Sequence, residues 1–246
     1  YEIPVFIDEK KDLSQNMVVR YILSILEVFA LFWSAESVFN YIKTGFVGID
    51  KHEIFLFENY CTKWGIKYSK WYKGEWNFGD ETEQNKAQIE RIRELRKIII
   101  EPLVQLKNEI KSVDNVKTIT TKLYNFLIAN NINTKIEQKI QELIELNKLE
   151  LANEYSSSWK IIMDVFDEIV LVFGEDVVNF EKYMQLLKIG LGNSDLGKIP
   201  GTQDQVTIGD VDRSRSHKVK VIFIIGLNDG VFPSINKSEG FFNDSD

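Results

Sequence analysis

The 246 residues contain one cysteine, Cys61, two histidines, His52 and His217, and four prolines. A single thiol excludes a disulfide framework and any cysteine-built zinc or iron–sulfur site within these residues. The histidines lie far apart in sequence and form no metal-ligand pair. No apolar run approaches the ~18 residues that a membrane-spanning helix needs, so no membrane partner is expected. The sequence opens at Tyr1 without a Met or a basic-then-apolar leader, which we read as a piece of a longer, cytoplasmic protein. Lys and Arg number 30 against 37 Asp and Glu, a net charge of -7, which argues against broad electrostatic binding of polyanions. What the chain does have is 44% hydrophobic and 12% aromatic residues, which excludes a disordered or collagen-like polymer. Its length allows one large or two small domains.

A short β-prone run, Ile3 to Ile7, opens the chain. Met17, Val18, Tyr21, Ile22, Ile25, Leu26 and Phe29 then recur at three- and four-residue steps, predicting a helix with one apolar face. Ser34 and Ser37 are candidate caps of a second helix. Asp50 caps a third, with Ile54, Phe57, Cys61 and Trp64 on its buried side. Residues 64–78 interleave Trp64, Tyr68, Trp71, Tyr72, Trp76 and Phe78 with Lys67, Lys70 and Lys73. Rings among lysines can stack on single-stranded bases while the ammonium groups follow the phosphates. The competing reading, an irregular loop pinned to the core by its rings, is the one we prefer.

From Thr82 to about Leu149 the composition favours long helices, and Ile89, Ile92, Leu95, Ile99, Leu103 and Leu106 keep to one stripe. Pro102 should kink that helix or mark a fresh start. Asp114 and Thr134 are expected to open further helices, with Asn130-Asn131 as a break. Ser156 to Ser158 should lead into a helix that ends at Gly174, and a last helix should run from about Asp176 to Ile189. Asp164, Asp167 and Glu168 share a helix surface and are read as solvated, not as a metal site. Gly190 to Gly201 reads as a linker. Two β-type runs follow, Gln205 to Ile208 and Val219 to Ile225, the second apolar enough for a strand buried on both faces. The expected fold is mainly α with a smaller α/β part. A split parallel-sheet domain, residues 1–33 and 203–246, is interrupted by a helical insertion, residues 34–202.

Chemistry concentrates in one stretch. Arg213, Arg215, Lys218 and Lys220 put four fixed positive charges into eight residues, with His217 between them. On a loop beside strand ends these groups would hold phosphate oxygens, arginine with two parallel hydrogen bonds. The alternative is a solvated loop paired with the chain's many acids. Gly226-Leu227-Asn228-Asp229-Gly230 follows the second β run and lacks the Lys-Ser/Thr of a phosphate cradle, so it is read as a turn.

Strand, polar loop, apolar strand, then Gly226-Leu227, Gly230 and Phe232-Pro233 together resemble motif V of UvrD-like superfamily 1 DNA helicases. Aligned without gaps, that motif's Thr position holds Asp210 and its His position Asp212. Its Lys position holds Arg215, its Gly position Ser216 and its Glu position Lys218. A carboxylate that would accept from a ribose hydroxyl has become an ammonium that can only donate. The resemblance therefore implies a strand scaffold that has lost its ATP-sensing chemistry. The particular version here, with Ile3 to Asp8, Ser37-Val38-Phe39, Lys43-Thr44-Gly45 and Glu58-Asn59-Tyr60, is similar to the AddB (RexB-type) subunits of bacterial AddAB helicase-nucleases. Both ends carry the likeness, while residues 80–200 match in helical character only.

That resemblance implies a 2A subdomain split around a 2B-like helical insertion. It implies the non-motor middle region of the AddB component of an ATP-dependent helicase and exodeoxyribonuclease, acting on double-strand ends in recombinational repair. Partners would be DNA, as single strand and duplex end, and the AddA subunit in a heterodimer. ATP, Mg2+ and an iron–sulfur cluster would belong to other parts of the parent, and no catalytic residue, metal or cofactor is expected here. The candidate backbone-binding residues are Arg213, Arg215, His217, Lys218 and Lys220. Two alternatives stay open: part of an active superfamily 1 helicase that tolerates Lys218, and a helical protein-interaction module without DNA contact.

Overall fold

The computed structural model describes residues 5–8, 11–79, 82–111, 113–192, 195–196, 206–209 and 220–228, and its architecture is mainly helical. Contacts divide the chain into a helical unit, Lys10–Ile199, and a terminal unit, Tyr1–Glu9 with Pro200–Asp246.

The helical unit is organised around α1 (Met17–Ala30). Val18, Val19, Ile22, Ile25, Leu26 and Val28 are fully buried there, so the helix is enclosed on more than the single face its periodicity suggested. Only Arg20 of α1 is exposed, and a helix whose apolar residues spread beyond one stripe requires neighbours on more than one side. They are α2 (Ala35–Lys43), α7 (Leu149–Phe173) and α8 (Phe180–Gly192). This packing draws α1, grouped with the terminal sheet by the sequence reading, into the helical unit.

Local chemistry sets most helix starts. Asn16 caps α1, accepting from the Val18 N–H at 2.9 Å. The Ser34 hydroxyl accepts from the Ser37 N–H at 3.2 Å, and the Ser37 hydroxyl donates to the Ser34 carbonyl. Asp50 opens α3 (Lys51–Lys63) with a reciprocal capping box through Glu53. Phe57 and Cys61 of α3 are buried, and Ile54 and Trp64 half-buried, as their spacing predicts. α4 (Glu83–Glu109) buries Ile92, Leu95, Ile99, Leu103 and Leu106 along one stripe. It continues through Pro102 without a fresh start, because the buried stripe holds the turns on both sides of the missing N–H.

Several starts differ from expectation. α5 (Val116–Ala129) is capped by Asn115, whose side chain accepts from the Thr118 N–H at 2.7 Å, and not by Asp114. α6 (Ile132–Glu145) begins directly after Asn131, whose φ is +54°. α7 passes through Ser156 to Ser158. The fully buried Ser158 hydroxyl donates to the Tyr155 carbonyl, so the helix satisfies it internally and no cap is needed. α8 starts at Phe180 because Val177–Asn179 forms a strand, β4, antiparallel to β3 (Val113–Asn115).

Two further pairings lie near the ends of the chain. β2 (Lys11–Asp12) runs antiparallel to β5 (Asp195–Leu196), so the polypeptide enters and leaves the helical unit side by side. β1 (Val5–Asp8) and β6 (Val206–Gly209) pair in parallel, from Val5 opposite Val206 to Asp8 opposite Gly209. Parallel neighbours require a crossover, and here it contains the helical unit. Among the described residues no helix is long and apolar enough to cross a membrane.

Candidate nucleic-acid interface

β6 ends at Gly209, opposite Asp8. The basic stretch follows in sequence, and of its residues Asp210, Asp212, Arg213, Arg215, Ser216, His217 and Lys218 lie outside the described residues. Lys220 is described and exposed.

The apolar run after it departs from expectation. Val221 to Ile225 form no strand among the described residues, and their exposure ranges from 51% at Ile224 to 87% at Ile225. A strand buried on both faces exists only where neighbours cover it. None of the described strands does so here. Gly226 has φ +76°, and its carbonyl accepts from the Asn228 N–H at 2.9 Å, so this segment does turn as its composition suggested.

The aromatic segment, residues 64–78, is the better-defined surface. Trp71 and Trp76 are buried, at 0% and 2% exposure. Their indole N–H groups are satisfied by backbone, Trp71 donating to the Trp33 carbonyl and Trp76 to the Lys70 carbonyl, each at 3.0 Å. α4 holds the loop from the other side. Arg96 donates to the carbonyls of Trp71 (2.9 Å) and Gly74 (3.0 Å) and lies over the Trp76 ring at 4.8 Å. Burial lowers the Arg96 pKa from its ordinary value. The guanidinium is thus occupied in structure and does not point free into the open cleft of about 600 Å³ beside it. These rings pin a loop to a core, as preferred from the sequence.

The same segment leaves other rings outside. Tyr68 is 53% exposed and Tyr72 is 42% exposed, and Lys67, Lys70 and Lys73 around them are exposed too. Tyr72 packs edge-on against Trp33 at 5.3 Å, and the Tyr68 N–H donates to the Trp33 carbonyl at 2.8 Å. Next to Trp33 stands Phe32, 78% exposed with φ +50°. Sequence reading missed Phe32. The usable signal was negative: α1 and α2 adjoin without a glycine between them.

Elsewhere the described side chains gather little chemistry. Among the described residues no group of three His, Cys, Asp or Glu is placed to hold a metal ion. Asp164, Asp167 and Glu168 are exposed on α7. Cys61 is buried, and desolvation pushes its thiol pKa up, away from the reactive thiolate.

No protein-family model matches the chain. Curated relatives do. The chain is 38% identical to the AddB component of the ATP-dependent helicase/deoxyribonuclease of Clostridium acetobutylicum, over all of this chain and 22% of that protein. It is 40% identical to the protein of the same description from Acetivibrio thermocellus, with the same coverage. For that of Clostridium novyi the identity is 36%, over all of this chain and 21% of the relative. The chain thus spans about a fifth of the length of these relatives, and the likeness includes the central residues as well as the two ends.

Proposed function

We propose that this chain is the middle, non-motor region of the AddB component of a bacterial AddAB-type ATP-dependent helicase and deoxyribonuclease, and that it handles a separated DNA strand. The observation that carries this reading is identity of 36–40% to proteins of that description along the whole chain. The strand pairings support the finer reading of a split 2A-like sheet around a 2B-like insertion. β1 and β6, from opposite ends of the sequence, run in parallel, and β2 beside β5 returns the chain to its point of departure.

In this reading Arg213, Arg215, His217, Lys218 and Lys220 contact the phosphates of the strand. The residues Asp210, Asp212, Ser216 and Lys218 stand where a motor's nucleotide-sensing motif would be, and they do not supply its carboxylate. One buried cysteine cannot ligate an iron–sulfur cluster with cysteines alone. ATP, Mg2+ and the cluster are accordingly assigned to other parts of the parent, and a separate AddA subunit is the heterodimer partner that this region contacts.

The test is fluorescence anisotropy of the chain with a labelled single strand at two salt concentrations. Each phosphate contact removed should reduce the slope of log affinity against log salt by about 0.7. Arg213→Ala and Arg215→Ala should therefore each flatten it. Binding that ignores salt, or slopes unchanged in both variants, would leave a helical protein-interaction module as the better description.

A further inference from the structure

Helix ends supply the starting point. α1 closes with the Trp33 N–H bonded to the Val28 carbonyl at 2.7 Å and the Phe32 N–H to the Phe29 carbonyl at 3.3 Å. This is a Schellman closure, which needs a left-handed residue at the position of Phe32. α3 closes in the same way through Gly65, with Ile66 bonded to Cys61, and α6 through Asn147, with Lys148 bonded to Leu143. Glycine and asparagine enter that conformation at low cost, whereas a bulky aromatic does not. At α1 the position is filled by a phenylalanine that is 78% exposed. It gains little burial in return for its conformation.

A second residue repeats the pattern. Tyr68 has φ +56° and is 53% exposed, and its N–H is bonded to the carbonyl of Trp33, the neighbour of Phe32. Tyr72 touches Trp33 as well and is also partly exposed. Three partly exposed aromatics therefore meet at Trp33: Phe32 as its chain neighbour, Tyr68 through its backbone N–H and Tyr72 through its ring. The lysines beside them stay exposed, with Lys67 over the Tyr68 ring at 5.8 Å and Lys70 spending one donor on the Gly65 carbonyl. Between residues 62 and 79 the chain carries Lys63, Lys67, Lys70 and Lys73 against Glu75 alone, a local excess of positive charge on a molecule whose net charge is -7. Bulky residues held in costly backbone conformations concentrate at ligand contacts. Flat rings spaced among cations match a ligand of flat rings spaced among anions.

We propose that Phe32, Tyr68 and Tyr72, with Lys67, Lys70 and Lys73, form a platform on which the bases of a single-stranded nucleic acid stack. The site belongs to the helical unit and is separate in sequence from the basic stretch at Arg213 to Lys220. Stacking reads the π-face of any base, so the platform takes a strand without a strong sequence preference.

The two sites respond to different parts of a strand, and this makes them separable. Anisotropy is measured with a labelled oligothymidylate and with an abasic strand of the same length and charge. The wild-type chain should bind the base-bearing strand at least about fivefold more tightly, the low end of one stacked base. The double variant Phe32→Gly/Tyr68→Asn, whose replacements suit left-handed backbone, should lose that preference while keeping its helical circular dichroism. Arg213→Ala/Arg215→Ala should keep the preference in either case: both strands weaken equally if the basic stretch contributes to binding, and neither changes if it does not. Equal affinity for the two strands in the wild type, or a preference that survives the double variant, would overturn the platform. So would a change in self-association on sedimentation with no change in strand binding, which would mark the rings as a protein contact.

Discussion

The indole N–H of Trp71 donates to the carbonyl oxygen of Trp33 at 3.0 Å, and the same oxygen accepts from the Tyr68 N–H at 2.8 Å. One acceptor in the α1–α2 turn thus ties down a loop that starts more than thirty residues later. Trp71→Phe removes the donor and the second ring of a fully buried side chain. The expected loss is about 2–3 kcal/mol, a cavity cost added to a hydrogen bond, with the acceptor still served by Tyr68. A lower urea midpoint would register it, and an unchanged midpoint would mean that the remaining ties, the Tyr68 N–H and Arg96 among them, hold the loop without Trp71.

Phe32 should respond in the opposite sense. Its φ of +50° suits glycine, and its ring is mostly in solvent. Phe32→Gly should raise stability by about 1 kcal/mol, while Phe32→Val, branched at Cβ, should lower it. Thermal melts of the two variants beside the wild type decide the matter, and a loss with glycine would show that the ring is packed after all.

Gly190 marks a close approach of α8 to α7. A Cβ built there would lie 2.7 Å from Val165 Cγ1, and Val165 is a buried, branched side chain that cannot swing aside. Gly190→Ala should gain about 1 kcal/mol of helix propensity and lose about 1–3 kcal/mol to overpacking, a net loss or near balance. The diagnostic is coupling. Adding Val165→Ala should restore stability to Gly190→Ala more than two independent changes would, and simple additivity would show that the helices are not in contact there.

Alkali should weaken the helical unit. Tyr21 and Tyr41 stack at 5.4 Å in its interior, and burial pushes the Tyr41 phenol up to about 12. Burial also raises Tyr21 well above the ordinary value, with the neighbouring Tyr41 adding to it. The folded chain therefore keeps protons that the unfolded chain releases above an ordinary value of about 10. This contribution is fully present below about pH 10 and is lost as pH rises through about 12. Urea midpoints should fall between about pH 9 and about pH 11, and tyrosinate absorbance should jump on unfolding at the higher pH. A flat midpoint across that range would contradict the burial of these phenols.

Short-range chemistry was legible from the residues themselves. The Ser34 and Asp50 caps, the buried stripe of α4 from Ile92 to Leu106 and the break at Asn130-Asn131 each depend on groups only a few positions apart. The likeness to helicase-nuclease subunits was legible too, in the Gly226-Leu227 and Ile3-to-Asp8 runs, and relatives match along the full chain. The basic stretch was visible as charge and spacing alone.

Tertiary structure decided the rest, because burial and pairing depend on what lies opposite in space. The two- and three-residue strands β2 to β5 carry no periodic signal and exist only because the helical unit brings their backbones together. Residues 64–78 read as one aromatic run, yet Trp71 and Trp76 went inside while Tyr68 and Tyr72 stayed out, a sorting made by α4 and the Trp33 turn. Val221 to Ile225 are apolar enough for a core but remain exposed among the described residues. Hydrophobicity says that a segment gains by being covered, and only a neighbouring surface can cover it.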